Sequence, residues 1–363
     1  MKKQMAIFLS LVTAGSILLT GCGEQKGTDS GAGDGSGEIK SVAFITGALG
    51  DKSFADLAWA GVKKAGEDHG IKAKVVEYGT DKAKITPTLL DTAEAYDIVI
   101  FTGNEFVEAL EQCYQDYPNT KFIGFDIDPD YDLKMENVFA ITYMQHQGEF
   151  LAGALAQKMS STGTIGCVMG MESVGINDFL VGYIQGSTYA NPNGKVASSY
   201  IGSFSDTAKA KELALVQVQQ NRADVLHQVA GGAGLGVFSA CQEKGIWGIG
   251  VDADQREFFV DSQPGIADTI LTSMTKRNDT SLYKTIGETI KGETPYGTKV
   301  KWGVKEGITV LAENDYYQKN VPQETRDYIG ELEGKIASGE LKVETAYGME
   351  QSRLVQLRDG VKP

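Results

Sequence analysis

From residue 40 to beyond residue 290, short runs of β-branched residues alternate with amphipathic stretches, a pattern that confines the chain to parallel sheets covered by helices. Strands are predicted at 40–45, 73–78, 97–102, 121–125, 164–169, 195–201, 224–229, 246–251 and 268–273, with helices between them. In the first helix Ser53 is the expected N-cap. Leu57, Ala58, Gly61, Val62 and Ala65 recur at helical spacing to face a sheet, and Lys63, Lys64 and Glu67 lie opposite. Near the C-terminus the pattern changes to a two-strand element at 299–302 and 308–311, then a helix from Pro322 toward Ser338. Four strand–helix units precede about Tyr143 and four follow. With 363 residues, more than one core usually holds, this coarse duplication predicts two α/β lobes.

The N-terminus reads as a signal for export. Lys2 and Lys3 precede an apolar run from Ala6 to Leu19, too short and too broken to span a bilayer, and Leu19-Thr20-Gly21-Cys22 follows. LTGC resembles the lipobox of bacterial lipoproteins, so residues 1–21 are expected to be removed and Cys22 to carry lipid. Residues 22–38 are then a lipidated Cys and a Gly-rich tether, reaching about 20–25 Å on average. The formal charge of −14 repels nucleic-acid phosphates and anionic headgroups, so attachment is expected through lipid alone, with no nucleic-acid partner. Cys113, Cys167 and Cys241 remain, with neither C-x-x-C spacing nor a pairing pattern, which indicates no disulfide framework and no zinc site.

In open parallel sheets, ligands bind beyond the carboxyl ends of the strands. Those ends carry Gly47, Gly50, Asp51 and Phe54; Gly103 and Asn104; Asp126 and Asp128; Gly170; Gly202 and Phe204; the stretch 227–236; Asp252 and Asp254; and Ser273 and Lys276. Acids with one lysine suit hydroxyl groups, and aromatics suit a flat ring. FDIDPD at 125–130 invites a calcium reading. Tyr131 and Asn137 stand where an EF-hand loop needs Gly and Glu, so Asp126 reads as a cleft carboxylate and Asp128 and Asp130 as turn acids. GGAGLG at 231–236 imitates a dinucleotide fingerprint, but Val237 occupies the place of its last glycine. No cofactor is expected; the glycines instead let backbone N–H groups approach a ligand. With three His, no H-E-x-x-H, no G-x-S-x-G and no P-loop, the chain reads as a binding protein and not an enzyme.

An ordered set of motifs completes the reading: DKSFAD at Asp51, GEFLAGALA at Gly148, YIGSFSDTAKAKELAL at Tyr200, DVLHQVAGGAGLGVFSA at Asp224, GVDADQ at Gly250 and TSMTKR at Thr272. From residue 39 onward the chain resembles the basic membrane protein family of nucleoside-binding lipoproteins, which includes purine nucleoside receptors of bacterial ABC importers. The resemblance implies a type I periplasmic-binding-protein fold, two Rossmann-like lobes with parallel sheets joined by three crossovers. It places 39–144 plus 255–294 in one lobe and 145–254 plus 295–363 in the other. It further implies that a nucleoside binds between them and is passed to an ABC permease and its ATPase, from a monomer on the extracytoplasmic face of the cell membrane. Carried over by motif, Phe54 stacks on the base, Asp51 belongs to the same motif, Asp56 and Asp126 address the base or sugar, Asp252 and Lys276 hold the ribose, and Gly231 offers backbone contact. Two departures affect base selectivity: Ala55 replaces an expected Asn, and His227 stands where a Phe or Tyr would give the second stacking face. A sugar or signalling molecule in the same cleft, or a nucleoside-acting enzyme, are the alternatives.

Overall fold

The computed structural model describes residues 38–363; the expected signal peptide, Cys22 and tether residues 23–37 lie outside the described residues. Two six-stranded sheets form, and their strand orders repeat. In the first lobe the order is β11 (Lys299–Trp302), β5 (Val138–Tyr143), β4 (Lys121–Phe125), β3 (Ile98–Thr102), β1 (Ser41–Thr46) and β2 (Lys72–Glu77). In the second it is β12 (Thr309–Leu311), β10 (Ile270–Lys276), β9 (Trp247–Asp252), β8 (Val225–Val229), β6 (Thr164–Met169) and β7 (Lys195–Tyr200). Read place by place, β4 corresponds to β9 and β5 to β10. All pairs are parallel except β10 with β12. The chain passes between the sheets three times, after β5, after β10 and between β11 and β12.

The duplication expected from the sequence is therefore a fold of two like lobes, but three expectations need correction. β5 is not among the predicted strands, although VFAITY is fully buried and lies between β4 and the edge strand β11. The segment 255–276 belongs with the second lobe and not the first: β10 pairs with β9 and β12, and Gln255 N–H bonds to Ser273 Oγ. Crossing occurs at Lys276, and the helix Asn278–Ile290 returns to the first lobe. There it packs so closely on the helix Phe54–His69 that a Cβ at Gly61 would fall 2.3 Å from the Asp279 carbonyl. The third correction concerns 295–363, expected wholly in the second lobe: β11 joins the first sheet, and only from β12 does the chain stay in the second lobe.

Local chemistry explains the pivotal first helix. Ser53 makes no capping bond; Asp51 takes that part, accepting from Ser53, Ala55 and Asp56 N–H at 3.0, 2.9 and 3.2 Å. Ala58, Gly61, Val62 and Ala65 are buried against the sheet and the returning helix, while Lys63, Lys64 and Glu67 are exposed. In the second lobe the helices Gln145–Met159 and Val174–Ala190 touch backbone to backbone, and a Cβ at Gly186 would meet the Phe150 carbonyl at 1.9 Å. The C-terminal helix Gln351–Gly360 lies against this pair, and Val196 N–H of the edge strand β7 donates to the Val361 carbonyl at 2.8 Å. No described helix is long and apolar enough to cross a membrane.

Candidate functional site

The carboxyl ends of both sheets open on a cavity of about 750 Å³, with walls from both lobes. Because β4 and β9 hold the same place in their sheets, the acids at their ends are counterparts. Asp126, just past β4, has φ 58°, and Asp252, the last residue of β9, has φ 66°. Left-handed backbone is tolerated by Asp better than by most residues, and such outliers gather at functional sites.

Lys276 ends β10 and is 2% exposed. Its Nζ lies 3.0 Å from Asp126 Oδ1, and 4.9, 5.0 and 5.5 Å from the ring centres of Phe54, Phe179 and Tyr143. Asp252 accepts from Ser53 Oγ at 2.7 Å, a bond from one lobe to the other. Burial pushes its carboxyl up to about 6; the Lys276 charge and the Ser53 bond oppose this, and Asp51 and Asp126 add to it. Asp51 is raised as well, by burial acting against its three backbone N–H bonds. Asp126 and Asp252 lie beside one ammonium here, while Asp51 is taken up by the helix N-terminus, so the two carboxylates keep acceptor capacity that a hydroxyl-bearing ligand can satisfy.

Of the eight residues expected from the sequence to bind ligand, Asp51, Phe54, Asp126, Gly231, Asp252 and Lys276 line this cavity. Two do not. Asp56 turns back to its own loop, accepting from Gly50 and Lys52 N–H at 2.8 Å each, because the tight turn before the helix leaves those donors unpaired. His227 is wholly buried, two residues before the end of β8 and so about 6–7 Å below the cleft. Its Nε2 lies 2.9 Å from Glu149 and its Nδ1 3.0 Å from the Ile249 carbonyl, which removes it as a stacking face.

The second lobe's aromatics at the cavity are instead Phe179 and Phe204. Phe179 lies in the apolar run FLVGYI of a helix, where nothing in the sequence separates it from core. Phe204 follows β7, 43% exposed, and lies over Gly170, where a Cβ would fall 2.3 Å from its ring. Its place at a strand end was the available signal. Asp128 serves as a turn acid, accepting from Asp130 N–H at 2.8 Å.

The chain and its two-lobed α/β body have counterparts among known proteins. The family described as ABC transporter substrate-binding protein PnrA-like matches residues 39–346. The chain is 30% identical over 341 residues to basic membrane protein A of Borreliella burgdorferi, covering 92% of this chain and 94% of that one. It is 28% identical over 362 residues to the ABC transporter nucleoside-binding protein BmpA of Lactococcus lactis subsp. cremoris, covering 94% and 99%. A crystal structure of an ABC transporter solute-binding protein from Aeropyrum pernix K1 shares the fold, with TM-score 0.76 at 24% identity over 89% of this chain and 98% of that one. With its two like sheets, three crossovers and interlobe cavity, this chain belongs to the PnrA-like family of ABC transporter substrate-binding proteins.

Proposed function

We propose that the cleft captures a nucleoside, purine nucleosides foremost, and that the closed protein hands it to the permease of an ABC importer. The observation that carries this reading is the meeting in one cavity of the Phe54 and Phe179 rings with the row Asp126, Lys276 and Asp252. The rings offer apolar faces to a flat heterocycle, and the row offers acceptor, donor and acceptor to a pentose. Gly231, at φ 53°, supplies a backbone edge free of side chain. The name of the Lactococcus lactis relative supports the same ligand class. The reading extends to a monomer held at the outer face of the cell membrane by lipid on Cys22. Mass spectrometry of the small molecule co-purifying with the full chain tests the ligand; recovery of a free sugar or of a compound without a heterocycle would overturn the assignment.

The ribose clamp has its own measurable consequence. A missing 2′- or 3′-hydroxyl leaves a buried carboxylate or ammonium without its partner, which costs about 1–3 kcal/mol. Inosine should therefore outbind 2′- or 3′-deoxyinosine by roughly ten- to hundredfold in calorimetry. Equal affinities for all three would remove the row from the sugar subsite.

Asp252 also makes binding and stability respond oppositely to pH. Its folded value of about 6 lies above the ordinary 3.8, so its contribution to unliganded stability is complete below pH about 4 and is lost as pH rises through 6. The ionised form accepts from two ribose hydroxyls at once through charge-assisted bonds, whereas the protonated acid spends one oxygen on its own O–H, so the proposed clamp favours the carboxylate, which grows over the same window. Inosine affinity should thus be about tenfold weaker at pH 5 than at pH 7, and Asp252→Asn should flatten this profile. A profile unchanged by that substitution would assign the titration to another group.

A further inference from the structure

The cleft is bridged outside the cavity as well as within it, and one bridge runs through a buried pair of amides. Gln255 has no exposed surface. Its Oε1 accepts from Val251 N–H at 2.9 Å and from Gln228 Nε2, and its own N–H donates to Ser273 Oγ at 3.1 Å. These bonds fix it to β8, β9 and β10 of the second lobe. Its remaining group, Nε2, donates across the cleft to the Lys52 carbonyl of the first lobe at 2.9 Å. Gln228, also buried, accepts from Ala230 N–H at 3.1 Å, at the start of the glycine turn that walls the cavity. With donors and acceptors assigned on both sides, this amide pair has one orientation that satisfies every bond named.

The acceptor is held for this contact. Lys52 has φ 49°, a left-handed conformation uncommon for lysine, and the Asp56 carboxylate fixes the N–H groups of Gly50 and Lys52 on either side of Asp51. Lys52 Nζ adds a second crossing, 3.4 Å from the Phe258 carbonyl and 5.1 Å from the Phe259 ring centre. Within the cavity, the Ser53–Asp252 bond must compete with any hydroxyl that Asp252 takes up. The Gln255–Lys52 bond lies behind the cavity wall and does not.

We infer that Gln255 is a positioning residue for closure: its amide latches the 50–54 turn, which carries Phe54, onto the second lobe and so sets how slowly cargo leaves, without touching cargo itself. This holds whatever the cargo is. In Gln255→Glu the Oε1 acceptor is kept for Val251 and Gln228, but a carboxylate oxygen faces the Lys52 carbonyl. In Gln255→Met the side chain keeps its length and loses its polar atoms.

The test uses the full chain with Cys22→Ser and Cys113→Ser and spin labels at Glu94→Cys and Gln220→Cys, exposed helix positions in the first and second lobes; Cys167 and Cys241 are buried. In both Gln255 variants the interlobe distance distribution of the protein without added nucleoside should shift to longer separations. Bound inosine should leave at least tenfold faster, with association changed less than twofold. Gln255→Met keeps the test open if circular dichroism shows Gln255→Glu to be unfolded. Unchanged separation in the folded variants overturns the inference, whatever inosine does. Failure of inosine to bind the parent chain bears on the nucleoside reading alone.

Discussion

Lys276→Met should weaken inosine binding at least 100-fold at pH 7, a larger loss than any other single change in the cleft. Truncating one partner of a buried, hydrogen-bonded charge pair costs about 2–5 kcal/mol, much of it from the charge left behind. Here the effect is compounded, because the ammonium does two things. It donates to Asp126 and, in the proposed clamp, to ligand oxygens, and its charge is the largest influence opposing the upward shift of Asp252. Without it Asp252 rises above 6 and spends more of its time protonated at neutral pH, so one substitution removes a donor and weakens an acceptor.

That account separates Lys276 from a residue that merely fills space. Raising the pH to 8.5 should restore part of the lost affinity in Lys276→Met as Asp252 ionises, and should do little for the parent chain. Met keeps an apolar stem of similar length beside the Phe54, Tyr143 and Phe179 rings, so the fold should be retained. Calorimetry giving an affinity within threefold of the parent would place Lys276 outside the site.

The legibility of this molecule in its sequence followed the range of the interactions involved. Strand-end acids were readable, because Asp126 and Asp252 terminate apolar runs and a parallel sheet delivers every such terminus to one edge. Phe54 and Lys276 were readable for the same reason. What could not be read was direction. Asp51 and Asp56 share one six-residue motif, yet one caps a helix at the cavity wall and the other ties down the turn beside it, and only the local backbone path decides between them.

His227 shows the complementary failure. Motif alignment carries a position but not its depth along the strand, and two residues of extended chain put this imidazole beneath the site instead of in it. The lobe boundary failed at 255–276 because a strand that ends at a crossover carries the same local pattern as one that does not. Its partners β9 and β12 are long-range facts.

The displaced histidine leads to the largest expected effect on stability. His227→Leu should destabilise the protein by about 3–5 kcal/mol in urea unfolding at pH 7, the usual cost of removing one member of a buried ion pair. Glu149 has no exposed surface; among the described residues its Oε2 has no hydrogen-bond partner and its Oε1 is held by His227 Nε2 alone. The helices Gln145–Met159 and Val174–Ala190 approach closely around it, and a Cβ at Gly182 would already lie 2.8 Å from Glu149 Cβ.

Burial raises the Glu149 carboxyl, and the charge and hydrogen bond of His227 restrain that rise, so the variant should hold Glu149 protonated to still higher pH. A folded value above the unfolded one means that stability is fully present below the ordinary 4.5 and is lost as pH rises. The penalty in His227→Leu should accordingly be small near pH 4.5 and grow toward pH 8. Adding Glu149→Leu should recover most of the loss, since two apolar residues replace an ion pair at little cost where either alone leaves a stranded group. A double variant no more stable than His227→Leu would mean that the imidazole acts through its Ile249 carbonyl bond and its packing on Tyr183, and not through the carboxylate. The same helix that shelters Glu149 delivers Phe179 to the cavity. The single variant should therefore lose inosine affinity at pH 7, and the double variant should regain it.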